Sequence, residues 1–283
     1  MSDSRFHYLI TIHNKEALLP RVLEGVARCA GRDSVVVPVL DGCTDNSSAI
    51  VESFARQSGL EVRPTVAPDV HEIRSINAGL AQCGPGFCLI LQDDVVLRDP
   101  NLESRLRELR ERHHRRLGLV SLRMGGDLVT ESLRTWCARL WRSRGRLRAR
   151  TLEVTHLVGS CFDSHPVPKV RTLNAGDFAA TTAVFKSPVA LAPELRELEP
   201  RLDEALAPYG YDDLDLSVRS VRRNLINGVF ALDYTSDVDW GGTRKSAEFA
   251  AHSNRIMVRN RAYLWRKHRS FLRGAGRRWL LAQ

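Results

Sequence analysis

Short apolar runs alternate with amphipathic stretches through the first hundred residues of this chain. The apolar runs are rich in β-branched and aromatic residues, which favour strands over 6–12, 34–40, 61–66 and 88–97. Between them, residues 16–30 place Leu18, Leu19, Val22, Leu23 and Val26 on one helical face, and 48–57 form a second helix. This alternation predicts a doubly wound α/β sheet, an architecture that binds nucleotides.

The pattern is less regular in the second half of the chain. It predicts a helix over 101–117, strands over 118–124 and 229–234, a loop and strand within 172–185, a helix that Ser187-Pro188 opens, and helices over 193–208 and 217–223. Pro38 would normally weaken the strand over 34–40. We therefore expect a mostly parallel sheet with a mixed second half.

One strand ends in two carboxylates, within the stretch CLILQDDVVL. Asp93 and Asp94 follow the buried run 88–91 directly. Adjacent carboxylates at a strand end are costly unless a positive group lies beside them, and ligands of open α/β sheets bind at this end. A divalent cation that holds a phosphorylated ligand would explain the pair. The alternative is a solvated acidic turn.

Four further polar motifs accompany the paired aspartates. The first three are predicted on loops at the same sheet edge, and the fourth at a helix start: TIHN at 11–14, LDGCTDNS at 40–47, RSINAGL at 74–80 and YDDLDL at 211–216. In this order and spacing, over about residues 6–245, the five motifs resemble those of family 2 glycosyltransferases of GT-A fold. The resemblance implies an inverting transfer from a nucleoside-diphosphate sugar, assisted by Mn²⁺ or Mg²⁺.

The resemblance also implies roles for particular residues. Contacts with the nucleotide sugar fall to Thr11, Asn14, Asp41, Arg74, Asn77 and Asp93. Asp41 would accept from the imide N–H of uracil or thymine, which favours UDP or dTDP. Arg74 would contact the pyrophosphate and Asn77 the ribose, while Asp94, with Asp93, would hold the metal.

The acceptor side is expected around the fourth of these motifs. Asp213 matches the family's general base, which takes the proton of the acceptor hydroxyl as its oxygen attacks the sugar. By itself, an aspartate at a helix start is explained by capping or by the helix dipole, and Asp212 fits that explanation better. We place Asp212 and Asp177 on the acceptor side, although Asp177 equally suits a turn.

Two positions depart from the family pattern. Gln92 stands where the usual DxD element has its first aspartate. No histidine precedes Gly241-Gly242-Thr243, where many relatives carry a metal ligand. Asp239 is a candidate to replace that histidine, and water is the alternative. Because of these departures, a transferase that binds its donor without catalysis is a further alternative.

Composition and charge limit the classes of partner that we expect for this chain. The chain is 43% hydrophobic and 27% charged with a net charge of +9, and its basic residues concentrate at 105–116, 134–150 and 244–278. Such an excess of positive charge favours an anionic partner, which could be nucleotide phosphates, nucleic acid or an anionic membrane surface. The alternative is that these residues only form the solvated faces of helices. Without a signal peptide or a long apolar run, we expect a cytoplasmic protein with reduced cysteines.

We divide the chain into a transferase domain, 1–243, with a donor half (1–100) and an acceptor half (101–243), and a basic aromatic helical extension, 244–283. In the extension Trp265, Phe271, Leu272, Trp279 and Leu280 lie among arginines. This composition suits either a helix on the inner face of a membrane or a helix packed on the domain. A peripheral position would suit a lipid-linked acceptor, alongside a glycan or polysaccharide.

Two other classes of protein compete with this interpretation. A sugar-phosphate nucleotidyltransferase would carry a glycine-rich GxGTR loop after its first strand, where this chain has IHNKE. A nucleic-acid-binding protein would use the basic tracts, but no helix-turn-helix, zinc-finger or RNA-recognition signature is present. We therefore expect no nucleic-acid partner.

Overall fold

A computed structural model describes residues 5–130, 133–142, 152–164, 167, 170–236 and 247–273. Its α-helices are α1 (Leu19–Cys29), α2 (Ser47–Gln57), α3 (His71–Leu80), α4 (Leu102–Arg112), α5 (Leu133–Arg142), α6 (Pro193–Leu198), α7 (Asp212–Arg222) and α8 (Ala247–Arg273). Its first strands are β1 (Phe6–Ile12), β2 (Val35–Asp41), β3 (Glu61–Val62), β4 (Thr65–Ala67), β5 (Phe87–Gln92), β6 (Val95–Leu97) and β7 (Leu117–Ser121). The others are β8 (Met124–Thr130), β9 (Leu152–Ser160), β10 (Arg171–Leu173), β11 (Phe178–Thr181), β12 (Ala183–Phe185), β13 (Val189–Leu191), β14 (Ile226–Phe230) and β15 (Tyr234–Ser236).

The central sheet brings the predicted motifs to one edge. Its order is β11-β14-β7-β13-β5-β1-β2-β3, with β4 also beside β2. β1 is parallel to β2 and β5, and β7 is parallel to β14. β13 runs antiparallel to both β5 and β7, and β11 runs antiparallel to β14. The carboxyl ends of β1, β2, β5, β7 and β14 therefore share an edge, and the predicted mixed second half is confirmed.

Apolar strands form the centre of the core. β1 and β5 are almost wholly buried. The rings of their first residues, Phe6 and Phe87, stack with their centroids 4.6 Å apart. Helices α1 and α4 cover one face of the sheet, while α3 and α6 cover the other. Burial of each large apolar side chain contributes about 1.5–3 kcal/mol. This packing makes the sheet edge a fixed platform for the polar loops.

Pro38 is accommodated by a change of neighbour. β2 pairs with β3 at Val35 and Val36 and with β4 from Val39 onward. Pro38 falls in the gap between these two partners, so its missing N–H removes no hydrogen bond from that ladder. The predicted strand over 61–66 is correspondingly split into two short strands.

Four element predictions were wrong. The helix predicted over 193–208 is limited to Pro193–Leu198, followed by a short 3-10 helix at Glu204–Leu206. Ser187-Pro188 opens strand β13 rather than a helix, because Val189–Leu191 is buried between two strands of the sheet and α6 begins only at Pro193. The motif RSINAGL lies within α3 rather than on a loop. Val95–Leu97 does not continue the central strand; as β6 it pairs with β15 in a separate sheet.

The basic extension packs on the domain in its described part. Leu264, Trp265 and Leu272 of α8 are buried against Leu214 and Val218 of α7. Of the two interpretations of this segment, packing holds for 247–273, while Trp279 and Leu280 lie outside the described residues. Across the described ranges, no helix combines the length and apolarity that crossing a membrane requires.

The six cysteines are free thiols that differ in burial. Cys29 and Cys88 are buried, Cys43 and Cys83 are partly buried, and Cys137 and Cys161 are exposed.

Candidate functional site

The ends of β1, β2 and β5 meet through the residues that follow them. The His13 N–H donates to Asp93 Oδ2 at 2.9 Å, and the His13 ring Nδ1 lies 2.6 Å from the Asp41 carbonyl oxygen. Thr11 is partly exposed and lies in register with both Val39 and Gln92. The structure therefore brings three of the five motifs together at the predicted edge.

Asp93 is a partly buried carboxylate, 15% exposed, with a lysine beside it. Lys15 Nζ lies 3.6 Å from Asp93 Oδ1. Burial raises the pKa of Asp93 to about 6, and the neighbouring Asp94 adds to this, whereas Lys15 and the His13 N–H oppose it. Sequence reasoning missed Lys15, although a single lysine directly after the first strand in IHNKE was a usable signal.

Asp94 has one oxygen that no described residue contacts by a hydrogen bond. Ser236 Oγ donates to its Oδ2 at 3.2 Å, while its Oδ1 is buried and accepts no hydrogen bond within the described ranges. A buried carboxylate oxygen left in this way suits a cation, since hard cations take carboxylate oxygens together with phosphate oxygens. The position assigned to the metal therefore has a donor atom available.

A complete set of metal ligands is not assembled by protein side chains alone. Within the described ranges, no group of three or more His, Cys, Asp or Glu side chains is arranged to hold an ion. Mg²⁺ is often bound by one or two carboxylates plus substrate phosphates, so Asp94 with Asp93 still fits. Asp239 lies outside the described residues.

Asn14 and Asp41 organise the loops around the site. Asn14, in the left-handed region at φ 51°, accepts the Thr44 N–H on its Oδ1 at 2.7 Å. Asp41 is buried, and its Oδ1 accepts the Val70 N–H at 2.7 Å just before α3 begins. Both side chains lie at the predicted edge, with one oxygen of each already engaged by the backbone.

The two site residues predicted from RSINAGL, Arg74 and Asn77, lie in different environments. Arg74 is exposed, with its Nε 3.6 Å from Glu204 Oε2. Asn77 is buried, and its amide accepts from the Leu202 N–H at 2.8 Å and donates to the Leu202 carbonyl at 3.1 Å. Asn77 thus anchors the segment before α7, and the geometry does not support a ribose contact.

Asp213 lies at the first turn of α7 with both oxygens held by backbone N–H groups. Leu214 donates to Oδ1 at 2.8 Å and Lys186 to Oδ2 at 3.2 Å. Burial, followed by the charge of the adjacent Asp212, raises the pKa of Asp213 to about 7 against the opposing effects of Lys186 and the two N–H groups. A carboxyl that titrates near neutrality suits a general base.

Asp212 is placed differently from the prediction. It is almost fully buried, at 1% exposure, and its Oδ2 forms an ion pair with Lys186 Nζ. It therefore lies beneath Asp213 and shapes the charge there rather than reaching an acceptor. Sequence reasoning missed Lys186, because nothing in AVFKSPV marks a lysine that becomes buried.

Asp177 lies in the turn directly before β11. It is exposed, its N–H donates to the Asn174 carbonyl at 3.0 Å, and its own carbonyl accepts the Ala231 N–H at 3.0 Å. The first is the bond of a turn, and the second continues the antiparallel pairing of β11 with β14. The backbone of Asp177 therefore lies beside the end of β14, on the shared edge of the sheet.

Known proteins support the fold and the family. The sequence profile described as glycosyl transferase family 2 matches residues 8–162, more than half of the chain. No curated protein sequence matches. The structure is similar to S. aureus TarS, with a TM-score of 0.53 and 16% identity, covering 83% of this chain and 37% of that one.

Two solved complexes show the same fold. One is the mannosyltransferase PcManGT from Pyrobaculum calidifontis with GDP-Man and Mn²⁺, at TM-score 0.55 and 15% identity, covering 84% of this chain and 58% of that one. The other is S. aureus TarS 1-349 with UDP-GlcNAc, at TM-score 0.53 and 16% identity, covering 96% and 74%. The chain thus spans 37% and 58% of the first two neighbours. By its sequence profile the chain belongs to glycosyl transferase family 2, and its structure has the GT-A fold.

Proposed function

We propose that this protein is a glycosyltransferase that moves a sugar from a nucleoside-diphosphate sugar to an acceptor hydroxyl with inversion, using Asp213 as general base. The observation that carries the proposal is the state of Asp213. Its carboxyl is oriented by two backbone N–H groups and has a pKa near 7. That pKa leaves a substantial fraction ionised at neutral pH and able to accept a proton.

The reaction is a single displacement. The ionised Asp213 takes the proton of the acceptor hydroxyl as that oxygen forms a bond to the anomeric carbon. The bond between this carbon and the diphosphate oxygen breaks, and the nucleoside diphosphate leaves with its electron pair. Because the acceptor attacks from the face opposite the leaving group, no covalent intermediate on the protein is required.

The donor would lie along the edge formed by β1, β2 and β5. Asp94 Oδ1, together with Asp93, would hold Mn²⁺ or Mg²⁺, which would offset the charge that develops on the departing diphosphate. Lys15, which lies beside Asp93, and the exposed Arg74 would supply cations for the phosphate oxygens. Mn²⁺ accompanies GDP-Man in the PcManGT structure, which supports a divalent metal.

The nucleotide is proposed from Asp41. A carboxylate at the base edge favours uracil or thymine, hence UDP or dTDP, while Thr11 would flank the base. The two solved complexes carry UDP-GlcNAc and GDP-Man, so relatives of this fold use different nucleotides. The identity of the nucleotide is therefore the first quantity to measure.

The acceptor is proposed to be a glycan, glycolipid or polysaccharide hydroxyl, with Asp177 at its margin. Helix α8 turns its aromatic side into the domain and leaves Arg255, Arg266 and Arg269 exposed. An arginine face supports peripheral contact with an anionic membrane on the cytoplasmic side. The double variant Arg266→Glu, Arg269→Glu should then lose co-sedimentation with phosphatidylserine vesicles, and unchanged co-sedimentation would remove this part of the proposal.

Thermal-shift measurements with UDP, dTDP, GDP and CMP, each with and without Mn²⁺, test the donor site. A ligand at 100 times its dissociation constant stabilises the fold by about 2.7 kcal/mol, which is readily measured. We expect a Mn²⁺-dependent shift with UDP or dTDP that Asp94→Ala abolishes. No shift with any of the four would contradict the proposal, and binding without turnover would identify a transferase that has lost catalysis.

A further inference from the structure

A chain of polar contacts joins the donor edge to the candidate base. Gln92, directly before the paired aspartates, donates from its Nε2 to Glu72 Oε1 at 2.9 Å. The same Glu72 oxygen lies 3.3 Å from Lys186 Nζ. Lys186 Nζ also pairs with Asp212 Oδ2. Four side chains from β5, α3, the end of β12 and α7 are thereby linked.

Lys186 holds both members of the aspartate pair. Its ammonium contacts Asp212, and its backbone N–H donates to Asp213 Oδ2 at 3.2 Å. Its side chain is only 12% exposed. Burial alone would lower the pKa of Lys186, but the charges of Asp212, Glu72 and Asp213 outweigh burial and raise it. The lysine is therefore a buried cation at neutral pH.

The pair needs such a cation. Two adjacent carboxylates with little solvent repel one another, and a buried carboxylate without a counter-ion takes up a proton instead. Among the described residues Asp212 Oδ1 has no hydrogen-bond partner, so its charge is stabilised by the contact of Oδ2 with Lys186. Without Lys186 the first turn of α7 would carry an uncompensated carboxylate directly beneath Asp213.

We propose that Lys186 is a positioning residue for Asp213, and that Glu72 and Gln92 tie it to the donor edge so that base and donor are held in fixed relation. This inference rests on the proposed function. It also explains Gln92. An aspartate at this position, as in the usual DxD element, would face Glu72 with a second carboxylate, whereas the glutamine amide donates to it.

Lys186→Met removes the ammonium while keeping the length of the side chain, and Lys186→Arg keeps a cation. Lys267→Met is the matched control, because Lys267 Nζ also lies between two carboxylates, 2.6 Å from Asp203 and 2.7 Å from Asp215. Each variant is assayed for UDP or GDP release from UDP-GlcNAc and GDP-mannose with Mn²⁺ and water as the acceptor. Thermal shift with the same nucleotides and circular dichroism report donor binding and folding.

We expect Lys186→Met to lower kcat about 100-fold or more, within the range that general bases contribute, with KM for the donor changed less than about threefold. Lys186→Arg should recover at least tenfold of the loss, and Lys267→Met should keep wild-type kcat. A merely structural lysine would lower stability and donor binding together. That result, or a Lys186→Met kcat within threefold of wild type, would overturn the inference.

Exchanging the two ends of the Gln92–Glu72 contact tests the link to the donor edge. Gln92→Glu places two carboxylates in opposition and should lower kcat about tenfold or more. Adding Glu72→Gln restores an amide–carboxylate pair with the same net charge and should recover most of that loss. A double variant no better than Gln92→Glu would overturn the link. If the wild type binds a nucleotide but releases none from either donor, the inference is overturned, and if it also binds no nucleotide in the thermal-shift measurement, the proposed function fails with it.

Discussion

Replacing Asp213 with asparagine should stop turnover and, at alkaline pH, stabilise the fold. In the folded protein the pKa of Asp213 is about 7, against an ordinary value of 3.8, because the group is buried beside Asp212. The unfolded chain therefore releases this proton near pH 4, whereas the folded protein retains it to about pH 7. This group therefore lowers the free energy of unfolding above pH 4, by an amount that grows up to pH 7 and stays constant at higher pH.

The magnitude follows from the size of that difference. At about 1.4 kcal/mol for each pKa unit, three units correspond to an upper limit of about 4 kcal/mol above pH 7. Asparagine can accept only one of the two N–H groups from Leu214 and Lys186, which costs about 1 kcal/mol. Solvent at this half-buried site reduces the remainder, so we expect Asp213→Asn to gain about 1–3 kcal/mol at pH 8.

Urea unfolding of both proteins at pH 5, 6, 7 and 8 measures this effect. The advantage of Asp213→Asn should grow by about 2 kcal/mol between pH 5 and pH 8, while its turnover falls 10²–10⁴-fold and donor binding persists. A stability difference that does not change with pH would refute the raised pKa. Retained turnover would refute the role of Asp213 as base.

Three further variants test the surroundings of the site. Asp212→Asn removes the charge that raises the pKa of Asp213 and keeps Lys186, which lowers it. The acidic limb of the kcat–pH profile should therefore move about 1–2 pH units lower, and an upward shift would contradict this arrangement of charges. Asp94→Asn should weaken Mn²⁺-dependent nucleotide binding at least tenfold and leave binding in EDTA unchanged, whereas equal loss in both conditions would argue against a metal ligand. Asn260→Ala leaves the carbonyls of Leu206, Tyr209 and Gly210 without the side-chain amide that donates to them, and should cost about 1–3 kcal/mol in urea unfolding together with a lower kcat. Unchanged stability would show that α8 does not hold this loop.

The sheet and its edge could be predicted because their signals are local. The strands β1 and β5 are continuous apolar runs, and strand–helix alternation requires their carboxyl ends to share an edge. Asp93 and Asp94 then follow from their position in the chain alone. The location of Asp213 at a helix start was equally visible, since acidic residues cluster in the first turn of α7.

The remaining errors concern contacts between distant residues. Ser187-Pro188 precedes a strand because β5 and β7 provide partners on both sides, which no local pattern shows. Asn77 and Leu202 are 125 residues apart, so the structural use of that amide could not be read from RSINAGL. The ion pair of Lys186 with Asp212 and the packing of Trp265 on α7 depend in the same way on tertiary structure.

The most direct test of the account is the configuration of the sugar first released from UDP-GlcNAc or GDP-mannose, followed by proton NMR in the presence of Mn²⁺. Both donors carry an α-linked sugar, so a single displacement assisted by Asp213 predicts release of the β-anomer before mutarotation, at a rate that Asp213→Asn abolishes. Initial release of the α-anomer, or release that is unaffected in Asp213→Asn, would contradict inversion by this base.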